Sequence, residues 1–179
     1  MNKTYKMNIA GLERHLPLHD IDDKLSIAAF IIFGDVELTM AAASQLLAKV
    51  PEFDIIVTPE AKSIPLAYEM ARQSGKPYIV ARKGVKLYMK DPIKVEVKSI
   101  TTAKVQMLHL GADDVDAIKG KRVLIVDDVI STGESLAAAV KLVNEAGGSV
   151  AASCAILAEG DAASRDDIIF LEALPLFFS

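Results

Sequence analysis

Two adjacent carboxylates, Asp127 and Asp128, stand between a buried-looking apolar run and a small loop rich in hydroxyls, in the order Arg122-Val123-Leu124-Ile125-Val126-Asp127-Asp128-Val129-Ile130-Ser131-Thr132-Gly133-Glu134-Ser135. The apolar run reads as a parallel strand that ends at the acids, and an amphipathic helix starts at about Gly133, carrying Leu136, Ala139, Val140 and Val143 on one face. That order places two negative charges and a set of backbone N–H donors at the carboxyl end of a strand, where open α/β sheets bind ligands. The helix start and the hydroxyls of Ser131, Thr132 and Ser135 suit a phosphate monoester. The carboxylates suit sugar hydroxyls, directly or through a divalent cation. A 5-phosphorylated ribose offers both groups at the right separation. No Gly-x-x-x-x-Gly-Lys-Ser/Thr run exists, so a nucleotide P-loop is excluded.

The run resembles the signature of the type I phosphoribosyltransferase family: four apolar residues, two acids, two apolar residues, then a Ser/Thr-Thr-Gly-x-Ser/Thr loop. The resemblance implies that Asp127 and Asp128 hold the ribose hydroxyls of phosphoribosyl pyrophosphate (PRPP), with Mg²⁺ bound chiefly through PRPP and reached by the acids through water. It implies that Val129, Ile130, Ser131, Thr132, Gly133, Glu134 and Ser135 wrap the 5-phosphate. Two other readings share the pattern. A phosphoacceptor receiver domain also follows a strand with paired acids, but at its amino terminus. A plain strand–turn–helix with solvated acids calls for no hydroxyl-rich loop.

Two further stretches fall at strand ends. Thr58-Pro59-Glu60-Ala61-Lys62-Ser63-Ile64-Pro65 joins a buried strand to a helix. By resemblance this loop contacts pyrophosphate and carries a cis non-proline peptide around Glu60, Ala61, Lys62 and Ser63; an ordinary loop with an exposed lysine is the alternative. Arg82 and Lys83 close the next strand, with Lys86 beyond, and fixed cations suit a multiply charged leaving group. Adenine phosphoribosyltransferases have a similar Arg-Lys-x-Gly-Lys-Leu-Pro run; here it reads Arg82-Lys83-Gly84-Val85-Lys86-Leu87-Tyr88, without the proline.

Residues 86–106 match the family's flexible catalytic lid in place, and alternation at Ile93, Val95, Val97 and at Ala103, Val105, Met107 predicts a paired β-ribbon. Where adenine enzymes carry Ser-Leu-Glu-Tyr-Gly-Lys, this chain has Ser99-Ile100-Thr101-Thr102-Ala103-Lys104. Hypoxanthine–guanine enzymes instead place an aspartate at the position of Ser131. Neither proton carrier stands in its usual place. The base is expected to meet Ala158, Glu159 and Gly160, together with an amino-terminal hood. Glu159 accepts hydrogen bonds at neutral pH and favours an amino group over a carbonyl. Arg14 and His15, in the hood, are candidates to reach the ligand or to make surface contacts, and His109 is expected to face a strand neighbour.

The elements that must position these groups alternate in type. Residues 25–33 read as a strand, 36–50 as a helix, 54–58 as a strand, Ile64–Ser74 as a helix closed by Gly75, and Tyr78–Ala81 as a strand. After the signature strand and helix come strands at 149–157 and 168–171. The expected fold is α/β, a parallel central sheet flanked by helices, in one phosphoribosyltransferase domain over residues 1–179 with 1–34 as hood and first strand.

Composition narrows the remainder. The net charge of −4 leaves no electrostatic footprint for nucleic acid, although cations cluster within residues 72–104. Half the chain is hydrophobic (51%), yet no apolar run is long enough for a membrane span, and acids precede the first one, which argues against a secretory signal. The single cysteine, Cys154, offers no disulfide, and cytoplasmic residence is the default.

The resemblance therefore implies a purine phosphoribosyltransferase of nucleotide salvage, most like the adenine enzymes, making a purine nucleoside 5-monophosphate and pyrophosphate from a free base and PRPP. It also implies a homodimer. A 6-oxopurine enzyme (xanthine, hypoxanthine or guanine) and a non-catalytic PRPP-sensing regulator stand as alternatives. Regulators of this fold add an amino-terminal winged helix.

Overall fold

The computed structural model describes residues 3–98 and 105–178. Five strands form an all-parallel sheet: β4 (Ile55–Pro59), β5 (Tyr78–Ala81), β8 (Arg122–Ile130), β9 (Ser149–Glu159) and β10 (Ile169–Leu174), in the spatial order β10-β9-β8-β4-β5. Helices cover both faces, so the central strands are apolar throughout rather than alternating with polar residues. Alternation survives in which face each residue serves. Ile56, Leu124 and Val126 pack with Leu38, Leu46, Leu66 and Met70 of helices α1 (Val36–Leu47) and α2 (Ile64–Ser74). Ile55, Val57, Val123 and Ile125 pack on the other face with Leu136, Leu142 and Val143 of α4 (Glu134–Glu145). Each fully buried branched side chain contributes roughly 1.5–3 kcal/mol, so the two faces fix the register of β4 and β8.

Local signals set the helix ends. Asp35 caps α1 by accepting from the Leu38 amide at 3.1 Å. Gly75 closes α2 in the left-handed conformation, φ 69°, as its position after the apolar pattern predicts.

A second sheet is antiparallel: β1 (Thr4–Ile9), β2 (Leu12–Asp20), β3 (Leu25–Ala28) and, from the far end of the chain, β11 (Phe177–Phe178). The β1–β2 hairpin turns on Ala10 and Gly11, both at positive φ, as a two-residue type I′ turn requires. The strand expected over 25–33 is thus corrected. Only Leu25–Ala28 is strand, and it belongs to this small sheet. Beyond it Phe30 and Ile32 dive into the core while Ile31 and Phe33 stay exposed, without a ladder partner, until Gly34 turns the chain into α1. The apolar run reflects a segment crossing from one sheet to the core. Arg14 fastens the small sheet to α1, its Nε 2.6 Å from Asp35 Oδ2 and its Nη2 2.9 Å from Glu37 Oε2. The guanidinium holds the Asp35 carboxyl below the usual carboxylate range, and Arg14 is thereby a structural tie. His15 pairs locally with Glu13 at the surface.

The expected ribbon is present as β6 (Ile93–Lys98) paired antiparallel with β7 (Val105–Leu110); residues 99–104, with the lid motif, lie outside the described residues. A short helix, α3 (Ala112–Ile118), follows, which the pattern did not reveal because only Ile118 is buried. Among the described residues no helix is long and apolar enough to cross a membrane. Cys154 is free and buried in β9, where burial, then Asp127, push its thiol pKa up.

Candidate active site

Strand order makes the cleft. From β4 the chain winds outward through α2 to β5, whereas β8 lies on the other side of β4 and winds through α4 to β9. The direction of winding reverses between β4 and β8, so the loops above them diverge and leave a crevice. The β4–β8 ladder ends at Val57–Ile125, while β8 stays paired to β9 as far as Ile130–Ala158. The acids therefore do not terminate the strand, as expected from its apolar run. They sit within it, just past the last rung on the β4 side, with one flank pinned and the other open.

Asp128 is buried, and its Oδ2 has no hydrogen-bond partner among the described residues. Asp127 accepts the Asp128 amide at 2.9 Å. It keeps an edge open to the cleft, although protein atoms crowd most of its carboxyl group. Burial first, and the neighbouring Asp128 charge second, push its pKa well above the carboxylate range. Such a pair favours binding of a cation or hydroxyl donors, because either satisfies acceptors the protein leaves unsatisfied. The orphaned Asp128 oxygen thus fits a divalent cation. Among the described residues no group of three or more carboxylate, histidine or cysteine side chains gathers to cage one.

The 58–65 loop forms the opposite wall. Its Glu60–Ala61 peptide is cis, within the stretch where the resemblance placed one. Thr58 Oγ1 shares its proton between Ser63 Oγ (2.7 Å) and Val126 O (2.8 Å), and Ser63 Oγ donates on to Pro59 O (2.8 Å). These buried hydroxyls latch the loop to β8 beside the acids. Thr58 escaped the sequence reading; a hydroxyl in an otherwise apolar central strand was the available signal. Lys62 Nζ lies 3.1 Å from Asp128 Oδ2, an ion pair without hydrogen-bond alignment.

A cavity of about 320 Å³ runs between the walls, lined by Glu60, Ala61, Lys62, Ser63, Lys83, Asp127, Asp128, Val129 and Ser135. Arg82 and Lys86 do not line it. Arg82 Nε stands 3.4 Å from Glu60 Oε2, and the same carboxylate oxygen accepts the Lys83 amide at 3.0 Å. Glu60 thus ties down the basic strand end with its side chain. Arg82 also forms a bridge with His109 (Arg82 N to His109 O 3.0 Å, His109 N to Arg82 O 2.8 Å), so His109 does face a strand neighbour and the ribbon is moored at the basic pair.

Beside the acids a recess of about 110 Å³ is lined by Val129, Ile130, Ser131, Thr132, Gly133, Glu134 and Ser135. Gly133 adopts φ 81° at the start of α4, and no side chain caps the helix there. That positive φ favours glycine, and a Cβ there would meet only the movable end of the Arg165 side chain. An uncapped helix start ringed by hydroxyls is an anion site.

On the hood side a cavity of about 430 Å³ is lined by residues 27–31, Lys62, Val129, Ser131, Glu159 and Leu174. Glu159 faces it, as expected. Ala158 does not, because it is fully buried between β8 and β10, and Gly160 turns away at φ 58° beneath Leu176. Residues 27–31, which carry Phe30, were missed as pocket residues. They read as strand interior, whereas the chain leaves the ladder after Ala28 and runs along the cavity wall.

Val129 lines all three openings, Asp127 lines the first two and Asp128 the first. A family model described as phosphoribosyl transferase domain matches residues 36–174. An adenine phosphoribosyltransferase of Thermotoga petrophila is 40% identical over 108 residues, 60% of each chain. A hypoxanthine/guanine phosphoribosyltransferase of Methanococcus voltae is 31% identical over 149 residues, 83% of this chain and 73% of that one. The matched stretch spans about 60% of the length of the first of these relatives. The crystal structure of adenine phosphoribosyltransferase from Thermoanaerobacter pseudethanolicus shares the fold, with TM-score 0.67 and 23% identity over 96% of this chain and 95% of that one. The family match extends well past the signature, from the first residues of α1 to the end of β10. The chain belongs to the type I phosphoribosyltransferase family.

Proposed function

We propose that this protein is a purine phosphoribosyltransferase, adenine favoured, that joins a free base to the ribose 5-phosphate of PRPP and releases pyrophosphate. The observation that carries the reading is the acid pair between the phosphate recess and the cavity walled by the cis-peptide loop and Lys83, with the next residue, Val129, lining both of these and the hood-side cavity. A sugar seated on Asp127 and Asp128 has its 5-phosphate, its C1 leaving group and its incoming base in separate compartments.

Each residue then has a task. Asp127 and Asp128 orient the ribose hydroxyls and stabilise positive charge developing on the sugar as the C1–oxygen bond breaks. The 131–135 loop holds the phosphate and fixes the distance to C1. Lys62, Lys83 and the loop amides receive pyrophosphate, with Arg82 adding charge from behind its Glu60 pair. Mg²⁺ bound through PRPP, and reached by the acids through water, supplies neutralisation of the leaving group. The ribbon and residues 86–106 act as the lid that excludes water. Glu159 accepts the exocyclic amino group of adenine.

The test is release of pyrophosphate and nucleotide from PRPP and Mg²⁺ with adenine, hypoxanthine, guanine and xanthine offered separately. Turnover fastest with adenine and lost in Asp127→Asn/Asp128→Asn supports the reading; undiminished turnover in that double variant ends it. A 6-oxopurine specificity has one relative in its favour, the hypoxanthine/guanine enzyme above. PRPP binding with no turnover on any base would favour the sensor, although the described residues before α1 are strands rather than a winged helix. The reading includes cytoplasmic residence and a homodimer. Exposed Val36, Met40 and Tyr68, which line one surface hollow, support the dimer, checked by light scattering on the purified chain.

A further inference from the structure

The cleft already contains a cation of its own. Lys62 Nζ is 3.1 Å from Asp128 Oδ2, the carboxylate oxygen that no hydrogen bond satisfies. The two partners differ sharply in freedom: the Asp128 side chain is 6% exposed and that of Lys62 is 50% exposed. The carboxylate is therefore the fixed partner and the lysine the movable one. Lys62 also lines both the cavity beside the acids and the hood-side cavity, so the residue stands between the two. Its backbone is not free to follow, because the neighbouring Ser63 is buried and hydrogen-bonded to Pro59 O and Thr58 Oγ1. Only the flexible four-carbon stem can swing, a motion suited to a compact point charge.

We propose that Lys62 is the resident counter-ion of the acidic pair. In the ligand-free protein its ammonium holds the place where the cation and ribose are received, and their arrival transfers it to the anionic leaving group. This rests on the reading of Asp127 and Asp128 as the ribose and cation site. The contact lacks hydrogen-bond alignment, so exchanging it for another cation leaves no broken hydrogen bond behind. The consequence is an ordered cleft. A bare divalent ion competes with Lys62 and binds weakly, whereas an ion arriving with pyrophosphate offers Lys62 a new partner. The lysine thereby couples occupation of the acids to engagement of the leaving group.

The test uses Mn²⁺ binding to the full chain without PRPP, read as loss of the free-ion signal by electron paramagnetic resonance. If Lys62 occupies the site nine-tenths of the time, removing it raises the apparent affinity about tenfold. Lys62→Met is expected to bind one Mn²⁺ about tenfold tighter than wild type, and Lys62→Arg to stay as weak as wild type. Adding Asp128→Asn to Lys62→Met should lose the ion. Equal affinity in wild type and Lys62→Met overturns the proposal. If Asp128→Asn leaves Mn²⁺ binding untouched, the reading of the acid pair fails with it. If Asp128→Asn loses the ion but Lys62→Met gains nothing, only the counter-ion role fails. A readout needing no stability in the Met variant is ¹³C-methylation of the lysines, assigned with Lys62→Arg: the Lys62 resonance should move on addition of Mg²⁺, and a fixed resonance overturns the proposal.

Discussion

Replacing Asp127 by asparagine should make the metal-free protein more stable while abolishing turnover. The reasoning starts from the raised Asp127 pKa, caused first by burial and then by Asp128. A carboxyl whose folded-state pKa lies above its unfolded value binds a proton in the native state that the unfolded chain has released. Its contribution to stability is therefore complete below the ordinary carboxylate pKa, near 4, and is lost as pH rises towards the folded value. Within that window one group changes stability by at most about 1.4 kcal/mol per pH unit, or about 3.5 kcal/mol between pH 5 and pH 7.5. The open edge of Asp127 and the Lys62 charge beside the pair reduce this, so about 1–2 kcal/mol is expected. Asparagine keeps an oxygen to accept the Asp128 amide, and so removes the charge without removing the hydrogen bond. Urea unfolding of wild type and Asp127→Asn in EDTA at pH 5 and pH 7.5 measures it, because other titrations cancel in the difference. The advantage of the variant should be small at pH 5 and larger by about 1–2 kcal/mol at pH 7.5. An advantage equal at both values, or a variant less stable at pH 7.5, would refute the argument.

Other perturbations separate the parts of the cleft. Thr58→Val leaves the latch to Val126 O and Ser63 unmade in a buried site and should cost about 1–3 kcal/mol in urea unfolding, with PRPP turnover falling as the loop loosens. Gly133→Ala forces a side chain into positive φ, so KM for PRPP should rise at least about tenfold with little change in the far-ultraviolet spectrum. Arg14→Met leaves Asp35 and Glu37 without their shared cation and should lower stability by up to about 1 kcal/mol, chiefly through the small sheet, which amide exchange in β1 and β2 would register first. Glu159→Gln restores a donor to the hood-side cavity and should narrow any preference for adenine over hypoxanthine in competition assays.

What the sequence made legible follows the range over which each signal acts. The loop proposed to hold the phosphate is contiguous, and that reading depends on local backbone and side-chain types, so the recess lined by Ser131, Thr132, Gly133 and Ser135 could be anticipated directly. Parallel strands buried on both faces also announce themselves, as did α2 with its closing glycine. The small sheet was only half legible. Its last strand is two residues long and pairs Phe177 with Ser26 across almost the whole chain, a contact reinforced by Tyr5 and Phe177 rings 5.0 Å apart. Nothing local encodes such a pairing. The same holds for the Glu60 side chain, whose partners, Arg82 and the Lys83 amide, lie more than twenty residues along the chain.

The acid pair shows why position, rather than motif alone, decides the chemistry. Strand pairing continues on the β9 side past both acids, which holds their backbone rigid, while the β4 side stops short and leaves Asp128 Oδ2 facing a gap. Had β4 run two residues further in the ladder, the same Asp-Asp would lie beside a paired strand with no room for a sugar. The cis-peptide loop begins where that ladder ends, and its Thr58–Ser63 latch keeps the gap at fixed width. Lys62 then fills the charge, but not the hydrogen bonds, of the gap. An acceptor held rigid, stripped of partners and countered only by a movable cation is poorly satisfied by the protein itself, and the favourable interactions it lacks are those a ribose with its metal would bring.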